Sequence, residues 1–317
     1  MIKNKWFLFL LICCNVFFTT VFAQKSSRKI DTTKGFDFFF NAGMYLGHKA
    51  NANYYAGDPS RDPDPAERKY GDPNIWYVLN NPYRYNEIIY LIDERHSDII
   101  LDTAYFRLDD ISGMRYNLAF SFGVGARYRF SESFALSFLF SQVRLTAEGV
   151  PTFEIKGTGT NTDVGEIKYL GMEDNYKMVG KERRNFFGVN ASYLFETTIP
   201  YVFPFLELGV HLNSTKVISS EVIIEERSFS IINRYGEGTV YDPGISSTEI
   251  DPHLGGIGYG FIGGLGVRLA FNTWAAIEPV VQISAEKIHL SSYNQIRPNY
   301  NFMIRLVMGD KVFAKKQ

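Results

Sequence analysis

The sequence predicts an all-β protein, an antiparallel up-and-down transmembrane β-barrel of about eight strands. Three observations carry that prediction. Long stretches alternate apolar and polar residues with a period of two, as in "RYNLAFSFGVGARYRF". After Gln24 no apolar run is long enough to cross a bilayer as a helix. The connections between the alternating stretches are by turns short and long. A mean hydropathy of −0.12 over 317 residues fits, because alternating faces cancel in an average.

The chain opens with "MIKNKWFLFLLICCNVFFTTVFAQ": Lys3 and Lys5, an apolar run, then Val21-Phe22-Ala23. This reads as a secretory signal peptide over residues 1–23, cut after Ala23, with a short segment 24–33 before the first strand. Cys13 and Cys14 both lie inside it, so the exported chain has no thiol or disulfide chemistry. Removing Lys3 and Lys5 from the 33 basic residues leaves 31 against 34 acidic ones, a charge of −3. That balance gives no reason to expect nucleic acid as a partner.

The strands are expected at 36–47, 115–130, 134–147, 184–196, 201–214, 256–271, 274–288 and 299–309. The first puts Phe36, Phe38, Phe40, Ala42, Met44 and Leu46 on one face. The second does so with Tyr116 through Phe130 at even positions. In the third, the apolar set slips from Phe140 to Val143 and Leu145, which predicts a bulge. Phe187 to Phe195, Val202 to Leu212, Ile257 to Phe271, Ala275 to Ala285 and Tyr300 to Met308 continue the pattern.

Tight turns fall at 131–133, 197–200 and 272–273, and long loops at 48–114, 148–183 and 215–255, followed by a moderate one at 289–298. With the N-terminus on the periplasmic side, every tight turn is periplasmic and every long loop extracellular, and a tail 311–317 follows the barrel at 34–310. The polar face is rich in Gly, Ser, Asn and charges. In the sixth strand it reads Gly256, Gly258, Gly260, Ile262, Gly264, Gly266, Arg268. A narrow interior accepts such residues, whereas a soluble lipocalin-like barrel would fill it with large apolar groups. The apolar face is therefore predicted to meet lipid, with Tyr128, Phe130, Phe134, Phe195, Phe271 and Trp274 as an interfacial girdle.

On this pattern the chain resembles the OmpA/OmpX-like eight-stranded outer-membrane barrels, and more loosely the outer-membrane β-barrel families of Bacteroidota. The resemblance covers most of residues 34–310 and implies an architecture and an outer-membrane location. It carries no functional motif, and the chain runs on into "GDKVFAKKQ" where such barrels often stop on an aromatic residue.

Parity places Arg127, Arg129, Arg268 and Arg305 inside with Glu196, Glu207, Glu278 and Glu286, beside His211, Asn190, Asn213, Gln282 and Asn301. These could form an ion path or a salt-bridged plug. The need to pair charges held away from water favours the plug. At the end of the seventh strand, "HLSS" sets His289 and Ser291 together on the lipid face. A serine beside a histidine is the arrangement acyl transfer uses, and the pair resembles the His-x-Ser of the lipid A deacylase PagL. Its following Asn is Ser292 here, and no downstream carboxylate precedes Asp310.

In the first loop, Asp58, Asp62, Asp64 and Glu67 offer carboxylates to Ca²⁺ but lack the register of an EF-hand. Asp-Pro turns explain them as well. Tyr54, Tyr55, Trp76, Tyr77, Tyr83 and Tyr85 make the loop too apolar for a solvated coil. It is expected to cap the barrel, to present a recognition surface, or both. No cofactor is expected. The predicted function is non-enzymatic: in a lipid and lipopolysaccharide environment the loops bind a partner protein, surface glycan or other ligand, or the chain is an accessory subunit of a larger envelope assembly. A lipid A acyl hydrolase at His289/Ser291 and an uptake barrel for small hydrophobic molecules are the alternatives.

Overall fold

The structure, a computed structural model, describes residues 34–57, 113–160, 167–199, 201–232, 254–271, 275–290 and 295–309, the backbone of 104–108, and positions 73, 75, 87, 88, 90 and 91. Side chains are not described at 104–108, 153–160 and 167–174.

In chain order, β1 (Gly35–Leu46) leads into a single-turn helix α1 (Lys49–Ala52) and a 3₁₀ turn (Asn53–Ala56). There follow β2 (Ala104–Leu108), β3 (Arg115–Tyr116), β4 (Ala119–Arg129), β5 (Phe134–Gly149), β6 (Thr152–Thr160), β7 (Ile167–Asn175) and β8 (Lys177–Leu194). The chain ends with β9 (Val202–Ile224), β10 (Arg227–Ser230), β11 (Gly255–Ala270), β12 (Ala275–Lys287) and β13 (Ile296–Gly309).

Eight of these strands close a ring. β1 pairs with β4, β4 with β5, β5 with β8, β8 with β9, β9 with β11, β11 with β12, β12 with β13, and β13 returns to β1, all antiparallel. Closure removes both sheet edges, as a strand protein in hydrocarbon requires. The expected barrel of eight strands is the observed fold, and the apolar faces lie outside. Phe36, Phe38, Phe40, Phe122, Phe138, Phe187, Leu208, Leu265 and Phe302 are exposed, Leu265 by 65%. A soluble protein does not expose a continuous belt of this kind. Tyr128, Phe130 and Phe134 stack in sequence near the tight-turn end, with centroids 4.8 and 5.9 Å apart. Trp274 lies outside the described residues.

Three expectations are corrected. The bulge in the third strand is absent: β5 keeps one register against β4 and β8 throughout. Val143, Leu145 and Ala147 turn inward because the apolar side of the wall changes there from outer to inner. The register shifts lie in the neighbouring strands. One extra residue between β3 and β4 opposite β5, where Tyr116 faces Ala147 and Ser121 faces Val143, turns Tyr116 inward instead of toward lipid. Between β8 and β9, Lys181 faces Ser219 and Glu182 faces Val217, leaving Ile218 as the extra residue. Second, β8 and β9 have 18 and 23 residues, so parts of 148–183 and 215–255 are barrel wall. A membrane crossing takes about 9–11 residues. Third, Glu196 lies past the end of β8 and is exposed.

The inversion has a physical cause. Within the belt, lipid covers the outside and the narrow interior takes polar groups. Beyond the belt, the loops cover the inside and water covers the outside. There Met178, Val217, Val222, Ile224, Ile288 and Leu290 join Tyr54, Tyr55, Ala56, Ile75, Ile88 and Leu91 in one buried apolar cluster.

Candidate functional site

Two groups of buried charges occupy the barrel interior. Nearer the tight-turn end, Arg127 from β4 makes a bidentate contact to Glu278 of β12, at 2.7 and 2.8 Å. Arg305 from β13 donates to Glu207 of β9 at 2.5 and 3.2 Å and to Glu278 at 3.2 Å. Arg268 approaches Glu278 at 3.4 Å and Asp37 at 3.5 Å, and Arg129 donates to Asp37 at 2.9 Å. The guanidinium carbons of Arg127 and Arg305 lie 5.6 and 4.8 Å from the centre of the Phe39 ring. Register explains the meeting: Glu278 faces Arg305 directly across β12 and β13, as Asp37 faces Arg127 across β1 and β4.

Six of the eight expected lumen charges belong to this group, and Glu196 lies outside the barrel. The remaining one, Glu286, is in the other group, nearer the loop end. Tyr45 donates to Glu286 at 2.9 Å, Ser284 also donates to it, and His211 Nε2 is 3.6 Å away. Arg184 donates to the hydroxyl oxygens of Tyr45 and Tyr116 at 3.2 and 3.1 Å and pairs with Glu182 at 2.5 Å. Between the groups lies a cavity of about 30 Å³ bordered by Ser121, Ser141, His211, Gln282, Glu286 and Asn301. It has room for one or two waters and none for an organic substrate.

The sequence reading missed Asp37, Tyr45, Tyr116, Glu182 and Arg184. Asp37, Asn41 and Tyr45 occupy the inward parity of "FDFFFNAGMY" and could have been found there. Glu182 fell in a stretch assigned to a loop, since "KMVGKERRN" lacks the apolar alternation that marks a membrane strand.

Of the six aromatics expected in a recognition surface, Tyr54 and Tyr55 are 4% and 0% exposed and present nothing to solvent. They are cap residues. Tyr55 donates to Glu182, its backbone carbonyl accepts from Ser220 at 3.3 Å, and its ring meets Tyr54 edge-on at 5.2 Å. Burial, and then the neighbouring Glu182 carboxylate, push its hydroxyl well above the usual tyrosine range. A Cβ at Gly180 would overlap this ring, so β8 needs glycine at that point. Trp76, Tyr77, Tyr83 and Tyr85 lie outside the described residues, as do Asp58, Asp62, Asp64 and Glu67. Where α1 begins, His48 Nδ1 accepts from Ala50 N at 3.1 Å while His48 N donates to Asn299 Oδ1 at 2.8 Å. Partial burial, then Arg297 and Lys49, lower the His48 pKa.

His289 is exposed on the outer face, its ring against Gly256. Ser291 lies outside the described residues. Among the described residues no carboxylate touches His289, and none group as a metal site.

No family model matches the chain, and no characterised protein matches it in sequence. Among solved structures it is similar to Neisserial surface protein A (11% identity, 86% of this chain and 96% of that one, TM-score 0.34). It is also similar to OprG from Pseudomonas aeruginosa (10%, 89% and 97%, 0.32) and to Ail of Yersinia pestis (8%, 87% and 99%, 0.31). The class of protein, an eight-stranded transmembrane β-barrel, rests on the closed strand register and the apolar exterior of this chain.

Proposed function

We propose that this chain is a non-enzymatic outer-membrane β-barrel with a plugged lumen, acting by presentation. The barrel is an anchor, and the ordered elements beyond its rim bind a partner protein or surface ligand, as an accessory subunit of an envelope assembly. One observation carries this reading. The β5 and β8 wall continues past the apolar belt into the β6–β7 hairpin, which with β2 forms a separate three-stranded antiparallel sheet. Ordered structure held beyond a membrane anchor fits recognition better than transport.

The lumen supports the same reading. Arginine keeps its proton throughout the accessible pH range, so a layer of paired guanidiniums relays no protons. Its charges also oppose the passage of hydrophobic molecules.

A photo-crosslinking residue at Gly171 in β7, compared with one at Ser192 inside the barrel, tests the proposal in intact cells. The expected result is one discrete adduct from Gly171 and none from Ser192. Absence of any adduct from β6 and β7 positions, with a monomer recovered in mild detergent, would overturn it.

A further inference from the structure

The outer wall of β5, β8 and β9 carries side chains in cross-strand rows that change character abruptly. Phe140, Phe187 and Leu212 form the last apolar row, and Gln142, Asn185 and Ser214 the next. Above these stands a row of cations: Arg144 faces Arg183, and Arg183 faces Lys216. Lys181 adds a fourth one row higher. Like charges directly opposite one another oppose strand pairing. Among the described residues none of the four has a carboxylate within ion-pair distance. Among the described residues Glu148 and Glu221 stand on this face in the row above Lys181, and both are engaged, with Lys177 at 3.7 Å and Ser228 at 2.8 Å. Arg183 Nε is buried and has no hydrogen-bond partner.

A second, independent feature lies beneath this row. A shallow, open hollow runs in the lipid-facing wall between two adjacent outer rows, bordered by Val124, Phe138, Phe140, Phe187, Val210 and Phe261. Ala126 supplies little bulk to fill it. The cations stand four residues above Phe140 and Phe187, roughly 13 Å along the strands. An apolar hollow below a cationic row has the polarity of one lipid molecule with its phosphate upward.

We propose that this face binds an anionic, multiply acylated lipid of the surrounding leaflet. Its phosphate is held by Arg144, Arg183 and Lys216, and its acyl chains lie in the hollow. Guanidinium groups match phosphate oxygens in bidentate fashion, and the anion removes the repulsion within the row. The site rests on the barrel spanning a membrane and is independent of any partner at β6 and β7.

The test is native mass spectrometry of the full-length protein refolded in zwitterionic micelles, with bisphosphorylated lipid A as the probe. The protein is expected to retain one copy, and the Arg144→Gln/Arg183→Gln/Lys216→Gln variant to retain it about tenfold less or weaker still. Inorganic phosphate in excess should not displace the lipid. Ala126→Trp, which fills the hollow with the cations intact, should also weaken retention.

Equal retention by the triple variant, or equal retention of dephosphorylated lipid A by the unaltered protein, would overturn the proposal. Displacement by inorganic phosphate would do so as well, reducing the row to a simple anion site. The shift in gel mobility on heating reports folding of each variant. A protein that gains no protease protection in vesicles would instead refute membrane insertion itself.

Discussion

Glu278→Gln is the most informative single change, because one carboxylate organises most of the lower charge group. It accepts from Arg127 at 2.7 and 2.8 Å, Arg305 at 3.2 Å and Arg268 at 3.4 Å, and it is fully buried. Glutamine keeps the shape and removes the charge. Four guanidiniums then share Asp37 and Glu207. Breaking a buried pair in this way costs about 3–5 kcal/mol, roughly two to four powers of ten in the folded population. Urea unfolding in lipid vesicles, followed by tryptophan emission, measures it. Glu148→Gln is the control: its 3.7 Å contact to Lys177 is exposed, and such pairs contribute about 0–1 kcal/mol. A second arm adds Arg127→Met to Glu278→Gln. With charge balance restored, the double variant should be more stable than the sum of the two single losses requires, by about 0.5–3 kcal/mol. A loss under about 1 kcal/mol for Glu278→Gln, or additive losses, would refute the account, since both mean that water already reaches the group.

Gly180→Ala and Gly188→Ala lie on the same inward face of β8, yet a Cβ overlaps Tyr55 at the first and meets nothing nearer than 3.6 Å at the second. The first should lose about 1–3 kcal/mol by overpacking and the second should stay within about 0.5 kcal/mol, by vesicle unfolding. Tyr55→Phe leaves Glu182 with one fewer donor and should cost about 1.5–3 kcal/mol in the same assay. His48 has a lowered folded pKa, so its contribution is complete above the ordinary histidine range and is lost as pH falls through the folded value. Acidification should loosen α1, read as hydrogen exchange at Ala50, and His48→Asn should keep the cap while flattening that pH dependence. His289→Ala should leave the acyl pattern of lipid A unchanged by mass spectrometry. An acyl chain removed by the unaltered protein and kept by the variant would establish the hydrolase alternative.

How far the fold was legible depended on what covered each part of the wall. Within the belt, lipid outside and a narrow lumen inside impose opposite chemistries on alternate residues. Phe36 to Leu46 and Ile257 to Leu265 therefore declare both strand and face. Beyond the belt that contrast weakens. Lys177 to Arg183 read as a loop because water wets their outer side and the cap covers the inner, and Glu182 was lost with them. Val143 and Leu145 were read as a bulge in their own strand, whereas β5 keeps its register against β8 and changes its environment, and the extra residue lies in the facing segment between β3 and β4. Parity alone identified the charges of the interior, but it could not divide them into two groups, because that depends on strand stagger around the ring. The cap was legible as aromatic density. That Tyr55 lies over Gly180 is a contact between residues 125 positions apart, and no local pattern encodes it.

The interior charges bear on the proposed plug. Among the described residues the buried acids are Asp37, Glu182, Glu207, Glu278 and Glu286, and the buried guanidiniums are Arg127, Arg129, Arg184, Arg268 and Arg305. Five meet five. A water-filled channel has no need of such a balance, because mobile ions neutralise its walls. A dry interior inside hydrocarbon does need it, since one uncompensated buried charge costs several kcal/mol. The matching extends to geometry, for Glu278 and Arg305 are direct cross-strand partners, and Glu207 takes two bonds from Arg305. The polar interior therefore fixes strand register, as a hydrophobic core does in a soluble protein. On the proposed reading, the parts of the molecule left free to act are its outer wall and the elements beyond its rim.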